Sequence, residues 1–231
     1  MFERTKAFLK YIFPSGARAF GRVRRAVVAR GISDPDAAAV FSHIYRENGW
    51  ENAESVSGRG STLARTRVVR EALPGLLEEV GAGLLFDAAC GDFNWMREVD
   101  LRGVRYLGAD VVPELVESNR ALHGGEGREF IRLDVTKDSV PKADVILCRD
   151  CLIHLSFKHA RAAIANFKRS GSTFLLATTH TNVSENRDIR TGQWRPVNLL
   201  LPPFTFPAPA RLIVEDEELG KCLGMWRLDE L

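Results

Sequence analysis

The residues whose types and spacing invite chemistry begin at Asp87-Ala88-Ala89-Cys90-Gly91-Asp92-Phe93. This segment follows the apolar run Leu84-Leu85-Phe86 and offers a small-residue turn that lets backbone approach a nucleoside or dinucleotide. About 20 residues on, a second run, Val104 to Asp110, ends in a carboxylate that can accept from both hydroxyls of a ribose. Taken alone the turn is a weak sign, since Gly91 is its only glycine. A third acid, Asp134, closes Phe130-Ile131-Arg132-Leu133, although Asp134-Val135-Thr136-Lys137-Asp138 also reads as a turn. Asp150 and His154 follow a fourth apolar run, and their spacing places them on one face if a helix starts at once. An imidazole titrates near neutral pH, so His154 is the candidate base and Asp150 its orienting group or a substrate contact. A histidine inside Leu152-Ile153-His154-Leu155 fits equally well as a core residue satisfied by a backbone carbonyl. Further on, His180, Trp194 and Arg195 lie among Asn182, Asn186, Asp188, Gln193 and Asn198. A flat aromatic flanked by amides and a guanidinium suits a polyhydroxylated or anionic ligand; Trp194 as plain packing between loop and body is the alternative.

These groups need elements to hold them. From Leu84 short apolar runs alternate with helical patterns. The reading is strand 84–87, helix near 94–99, strand 104–110, helix 113–122, strand 130–134, strand 144–149, helix 157–169 and strand 172–179. That alternation is the rhythm of an α/β doubly wound, mostly parallel sheet. The connection from 135 to 143 is short and carries Pro141, so a helix there shrinks to a turn. After Thr179 the rhythm fails in a Pro- and Asn-rich stretch; connections of that length are functional or disordered, and Trp194, Pro196, Leu199 and Phe204 favour function. Arg211–Val214 and Cys222–Leu228, with the acidic turn Glu215–Glu218 between them, close the sheet as two more strands, giving seven. Upstream, Ser33-Asp34-Pro35-Asp36 places a capping serine and a first-turn proline before a helix that runs to Asn48-Gly49. The small-residue loop Ser55 to Thr62 then leads into a helical stretch that Pro74 interrupts. The division is a basic N-terminal arm or helix (1–30), a helical lid (31–83) and a cofactor-binding catalytic domain (84–231), with 180–209 as a substrate loop.

Phe86-Asp87-Ala88-Ala89-Cys90-Gly91-Asp92 resembles the first motif of class I S-adenosylmethionine-dependent methyltransferases: an acidic strand end, a small residue, any residue and glycine. Three further stretches resemble the family's next motifs in order. They are Tyr106-Leu107-Gly108-Ala109-Asp110, Phe130-Ile131-Arg132-Leu133-Asp134-Val135, and Asp144 to Leu155 with its histidine-bearing extension. The resemblance spans about Leu84 to Thr179, and four motifs in register are far more specific than one. It implies S-adenosylmethionine as cofactor and a seven-stranded Rossmann-like fold. By the same resemblance Asp87 lies near the cofactor's amino-acid end, Asp110 holds the ribose, and Asp134 and Val135 contact adenine. Ala89, Gly91 and Arg149 complete the cofactor set. Ala89 and Phe93 stand where family members often have glycine, and Phe93 either packs under the following helix or closes one wall of the pocket.

Methyl transfer to oxygen is an in-line displacement in which alignment, exclusion of water and a base matter most. The expected function is therefore O-methylation of a sugar or other small-molecule hydroxyl, with His154 and Asp150 catalytic and Trp194, Arg195 and His180 on the substrate. Its rivals are an RNA or protein methyltransferase and a non-catalytic cofactor-binding module of the same fold. A nicotinamide dehydrogenase fits less well, since its turn needs three glycines.

Composition narrows the field. The 231 residues are 45% hydrophobic and 27% charged, enough for a sizeable core. Residues 1–30 carry eight Lys or Arg against the single acid Glu3, a charge of +7, which leaves −5 for the body of a chain whose net charge is +2. An acidic body, and the absence of an Asn/Asp-Pro-Pro-aromatic motif, argue against nucleic acid as partner. The four cysteines Cys90, Cys148, Cys151 and Cys222 lie in apolar sequence, as reduced cysteines of a cytoplasmic protein do. The Cys148/Cys151 pair has no second pair at zinc-finger spacing, so no metal is expected. No apolar run is long enough to span a bilayer. Phe2, Phe8, Leu9, Ile12 and Phe13 among basic residues allow a peripheral membrane contact by residues 1–30.

Overall fold

The computed structural model describes residues 35–231. The basic segment 1–30 and the Ser33-Asp34 cap lie outside the described residues. The first helix of the described residues, α1 (Ala37–Arg46), starts later than the serine cap implied: Asp36 is its cap and accepts from the Ala38 N–H at 3.1 Å. Helix α2 (Leu63–Glu79) is capped by Thr62 and runs through Pro74 without ending. An internal proline costs about 3 kcal/mol. Val69, Leu73, Leu76 and Leu77 are all buried along this helix, and at about 1.5–3 kcal/mol each their burial outweighs the lost backbone bond.

The strands are β1 (Leu84–Ala88), β2 (Arg105–Asp110), β3 (Arg128–Arg132), β4 (Val145–Cys148), β5 (Phe174–His180), β6 (Arg211–Asp216) and β7 (Lys221–Arg227), with helices α3 (Pro113–His123) and α4 (Phe157–Arg169) between them. They form one seven-stranded sheet in the order β3-β2-β1-β4-β5-β7-β6. β1 to β5 are mutually parallel, and β7 runs antiparallel to both β5 and β6. This is the expected doubly wound architecture, closed by the two C-terminal strands.

Side chains alternate across each strand and so build a core on both faces. On β4, Val145 and Leu147 join α2 and the β1–β2 connection on one face, while Ile146 and Cys148 join α4 and the residues 197–206 on the other. Helix α2, expected as part of a lid, is thus a layer of the core. Ala37, Phe41 and Tyr45 of α1, with Trp50 and residues 56–61 of the segment before α2, line a cavity at the carboxyl ends of the strands, and α2 itself contributes Arg65. The helix expected near 94–99 is a single 3₁₀ turn, Met96–Glu98. Phe93 enters it with φ 58°, a left-handed conformation through which an α-helix does not propagate. β3 ends two residues earlier than its apolar run, because the Asp134 side chain folds back on Thr136 and turns the chain out of the sheet. The 133–144 connection contains no helix, as its length and Pro141 required.

Candidate active site

The parallel strands reverse their order between β1 and β4, and in such sheets ligands bind at the carboxyl ends around that switch point. A cavity of about 250 Å³ opens there. Ala89, Gly91, Asp110, Val135 and Thr136 form one end of it, and Arg149, Asp150, His154, His180 and Trp194 the other. Nine of the twelve residues singled out from sequence therefore share one cavity. The exceptions are Asp87, Asp134 and Arg195.

The Ala89-to-Gly91 turn is tight, with Ala89 at φ 68° and Gly91 at φ 60°. Asp110 ties it down: one carboxylate oxygen accepts from the Gly91 N–H and the other from the Val112 N–H, each at 3.0 Å. Each oxygen has two lone pairs, so acceptor capacity remains for ribose hydroxyls. Burial raises the Asp110 pKa, and the backbone donors oppose that rise. Asp87 sits beneath the turn and does not line the cavity. It accepts from the Tyr106 hydroxyl at 2.7 Å, and burial pushes its pKa up to about 7, moderated by that hydrogen bond. The Asp134 side chain faces its own turn, accepting from the Thr136 N–H and hydroxyl through Oδ1, while Oδ2 is buried without a hydrogen bond and lies 3.4 Å from Lys137 Nζ. Phe93 packs against Tyr106, Phe130 and His123, which settles its place in the core rather than in the cavity wall.

His154 lies in the 3₁₀ turn Leu152–His154, not on a helix with Asp150. Its Nδ1 is 3.0 Å from the Gln193 carbonyl oxygen. A carbonyl only accepts, so Nδ1 carries the proton and Nε2 is left as the acceptor. The Trp50 ring tilts over the imidazole at 4.6 Å. Burial lowers the His154 pKa to about 4, against the opposing pull of the Gln193 carbonyl and Asp150. The orienting group is thus a loop carbonyl, and Asp150 has another partner. Asp150 adopts φ 53°, donates its N–H to Thr178 Oγ1 at 2.9 Å and accepts from Lys221 Nζ at 2.6 Å. Burial alone would raise its pKa, but Lys221 and then Arg149 override it and hold the carboxyl well below the usual range.

Arg149 is committed to Glu215, donating from Nε at 3.0 Å and from Nη2 at 2.6 Å to the same oxygen, with both side chains almost wholly buried. Its Nη1 donates to the Gly60 carbonyl at 3.0 Å. His180 contacts the Val197 backbone through Nδ1 and meets Trp194 edge-on, and burial lowers its pKa to about 4. Arg195, expected on the substrate, is turned away. Its Nη1 donates to the Leu155 carbonyl at 2.6 Å and its guanidinium lies over Phe157, so it braces the turn that carries His154. Among the described residues no group of three or more His, Cys, Asp or Glu is placed to hold a metal, and all four cysteines are buried and unpaired. No helix of the described residues is long and apolar enough to cross a membrane.

Local sequence patterns did not single out Trp50, Ser57, Gly60, Glu215 or Lys221, all of which line the cavity. Lys221 reaches it because antiparallel pairing sets it opposite His180, and no short-range signal encodes that register. Glu215 stood in the acidic turn between the two closing strands, to which no role was given.

By sequence, no family model and no curated protein matches the chain. By structure it resembles magnesium protoporphyrin IX methyltransferase from Synechocystis with bound SAM, at TM-score 0.60 and 16% identity over 85% of this chain and 99% of that one. It also resembles human N-acetylserotonin methyltransferase in complex with SAM, at TM-score 0.57 and 16% identity over 95% of this chain and 69% of that one. N-methyltransferase NodS from Bradyrhizobium japonicum, in complex with S-adenosylhomocysteine, gives TM-score 0.58 and 15% identity over 83% and 98% of the two chains. The shared feature is the fold: the chain has the seven-stranded Rossmann-like architecture of S-adenosylmethionine-dependent methyltransferases.

Proposed function

We propose that the protein is an S-adenosylmethionine-dependent methyltransferase acting on a hydroxyl of a small molecule. The observation that carries this reading is that Asp110, on the Gly91 turn, and a neutral His154 line the same cavity at the switch point of a methyltransferase-type sheet. The residues present fit the cofactor. Asp110 retains acceptor capacity for ribose, Val135 and Thr136 offer a flank for adenine, and Ala89 and Gly91 leave room for backbone contact. When bound, S-adenosylmethionine supplies an electrophilic methyl group on a sulfonium.

The chain's own residues do the rest. His154 takes the acceptor's hydroxyl proton at Nε2, and the Gln193 carbonyl holds the ring in the tautomer that makes this acceptance possible. Trp50 covers one side of the imidazole, and Phe41 and Tyr45 of α1 add apolar cavity wall that helps exclude water. Asp150 fixes Lys221 rather than His154, so its part is to set the charge at the acceptor end.

A sugar hydroxyl is the acceptor we favour within this class. Trp50 and Trp194 supply flat faces, and the Arg149, Asp150, Glu215 and Lys221 cluster supplies a dense polar edge, a combination that suits a polyhydroxylated ring. With Arg195 withdrawn, an anionic acceptor loses one of its expected partners. The proposed organisation keeps 84–231 as the catalytic domain and 180–209 as the acceptor loop. Calorimetry with S-adenosylmethionine tests the cofactor, and S-adenosylhomocysteine release over hydroxylated sugars, phenols and RNA tests the acceptor class. Turnover on RNA alone would replace the small-molecule reading, and cofactor binding without turnover on any acceptor would favour a binding module.

A further inference from the structure

The small-residue loop that precedes α2 is built into the cavity wall. Ser57, Gly58, Arg59, Gly60 and Ser61 all line the same cavity as Asp110. What holds them there is Asp92, the residue after the Gly91 turn. Its Oδ1 accepts from the hydroxyls of Ser55 and Ser57 at 3.0 and 3.1 Å, and its Oδ2 accepts from the Val56 N–H at 2.9 Å. The Asp92 N–H donates in return to Ser57 Oγ at 2.9 Å. One carboxylate thus gathers three consecutive residues of the loop, in bonds of the charge-assisted kind.

The far end of the loop is pinned separately. Asn94 Nδ2 donates to the Ser61 carbonyl at 3.0 Å and to Glu54 Oε1 at 2.9 Å. Contact at both ends is close enough that a side chain would force a neighbour to move. A Cβ on Gly91 would stand 2.2 Å from Ser57 Oγ, and a Cβ on Gly60 would stand 2.7 Å from Asp150 Oδ2. The strap therefore rests on the nucleoside turn at one end and on the Asp150–Lys221 pair at the other.

We propose that Asp92 is a positioning residue: its carboxylate latches the 55–61 strap onto the Gly91 turn and closes the cofactor cavity, so that the cofactor leaves only when the latch opens. This rests on the cofactor reading above. Because the strap also carries Gly60 against Arg149 and Asp150, opening it loosens the acceptor end at the same time, and the two ends of the cavity open together.

The test uses Asp92→Asn and, in case that change disturbs the turn, the double variant Ser55→Ala/Ser57→Ala, which leaves Asp92 and Gly91 in place. Amide hydrogen exchange over residues 55–61 is followed in the ligand-free protein, and release of S-adenosylhomocysteine is followed by stopped flow. A latch predicts faster exchange confined to the strap and release accelerated roughly tenfold to hundredfold, the scale of lost hydrogen bonds to a charged group, in variants that melt cooperatively. Unchanged exchange and release in either folded variant overturns the latch while leaving the cofactor reading intact. A wild-type protein that does not bind S-adenosylhomocysteine overturns the cofactor reading, and with it the closing role.

Discussion

His154 shows how one side chain's environment sets its chemistry. Its half-buried imidazole has a pKa lowered to about 4, so it is neutral and able to accept a proton at every pH above that value. The acid limb of kcat/KM should fall near pH 4, well below the ordinary histidine value of about 6.5. His154→Ala should lower turnover by about 10²–10⁴-fold while cofactor affinity is retained; a joint loss of melting temperature, affinity and turnover would instead make it a core residue. The same shift bears on stability. The folded pKa lies below the unfolded one, so between about 6.5 and about 4 the unfolded chain binds more protons. Stability is fully present above the unfolded value and is lost as pH falls towards the folded one. His180, also lowered to about 4, acts in the same direction. Asp87, raised to about 7, acts in the opposite direction over the same range, so the test is a difference. Urea unfolding near pH 5 and near neutrality should show a less acid-sensitive stability in His154→Leu than in the wild type. Asp110 carries a second residue-scale prediction. Asp110→Ala should weaken S-adenosylmethionine binding by ~1.5–3 kcal/mol, read by calorimetry. Loss of its bonds to the Gly91 and Val112 N–H groups should also speed amide exchange in the turn.

At the scale of elements, the turn after β1 balances strain against burial. Phe93 is held at φ 58°, where glycine would be at ease, yet its ring is almost fully buried against Tyr106 and Phe130 with the Arg128 guanidinium over one face. Left-handed strain costs about 1–3 kcal/mol, whereas deleting a buried phenylalanine costs about 3–5 kcal/mol. Burial wins, so Phe93→Gly should destabilise the protein by ~1–3 kcal/mol although glycine suits this backbone conformation. Denaturant melts would show it, and an increase in stability would mean that strain dominates. The turn Leu152–His154 is likewise held from outside, by Arg195 on the Leu155 carbonyl and by the Gly192 N–H on the His154 carbonyl. The long 181–210 connection therefore acts partly as a clamp on the candidate base.

Across the whole molecule, β4, β6, β7 and the 55–61 strap meet at the Arg149–Glu215 pair. Glu215→Leu leaves the guanidinium buried without its carboxylate, for which about 3–5 kcal/mol is the usual penalty. For a chain of this size that corresponds to a fall in Tm of roughly 6–20 °C. A shift of only a degree or two would show that Arg149 finds another partner. Residues 1–30 precede every motif and are proposed to be dispensable for the cofactor. A chain starting at Gly31 should bind S-adenosylmethionine as the full-length protein does, and loss of affinity in a folded truncation would assign the arm a role in the site.

The sequence by itself determined the order of the seven strands from Leu84 onward and of the helices α3 and α4, the Gly91 turn and Asp110. These depend on periodicity and on contacts close along the chain, which local pattern records. It also showed that Asp150 and His154 follow the fourth strand, because a strand's end is a local feature. Only the tertiary structure decided what those two residues touch. Asp150 pairs with Lys221, a residue brought to it by antiparallel pairing of β7 with β5, and His154 is oriented by Gln193 from a loop with no periodicity to read. That helix α2 runs through Pro74 was not legible for a similar reason: the burial that carries the proline comes from a sheet face assembled from distant segments. Arg195 turns inward to brace a turn, and Glu215, given no role from sequence, pairs with Arg149. Side-chain direction in loops follows from which partner is nearest in space, and that distance exists only once the sheet has formed.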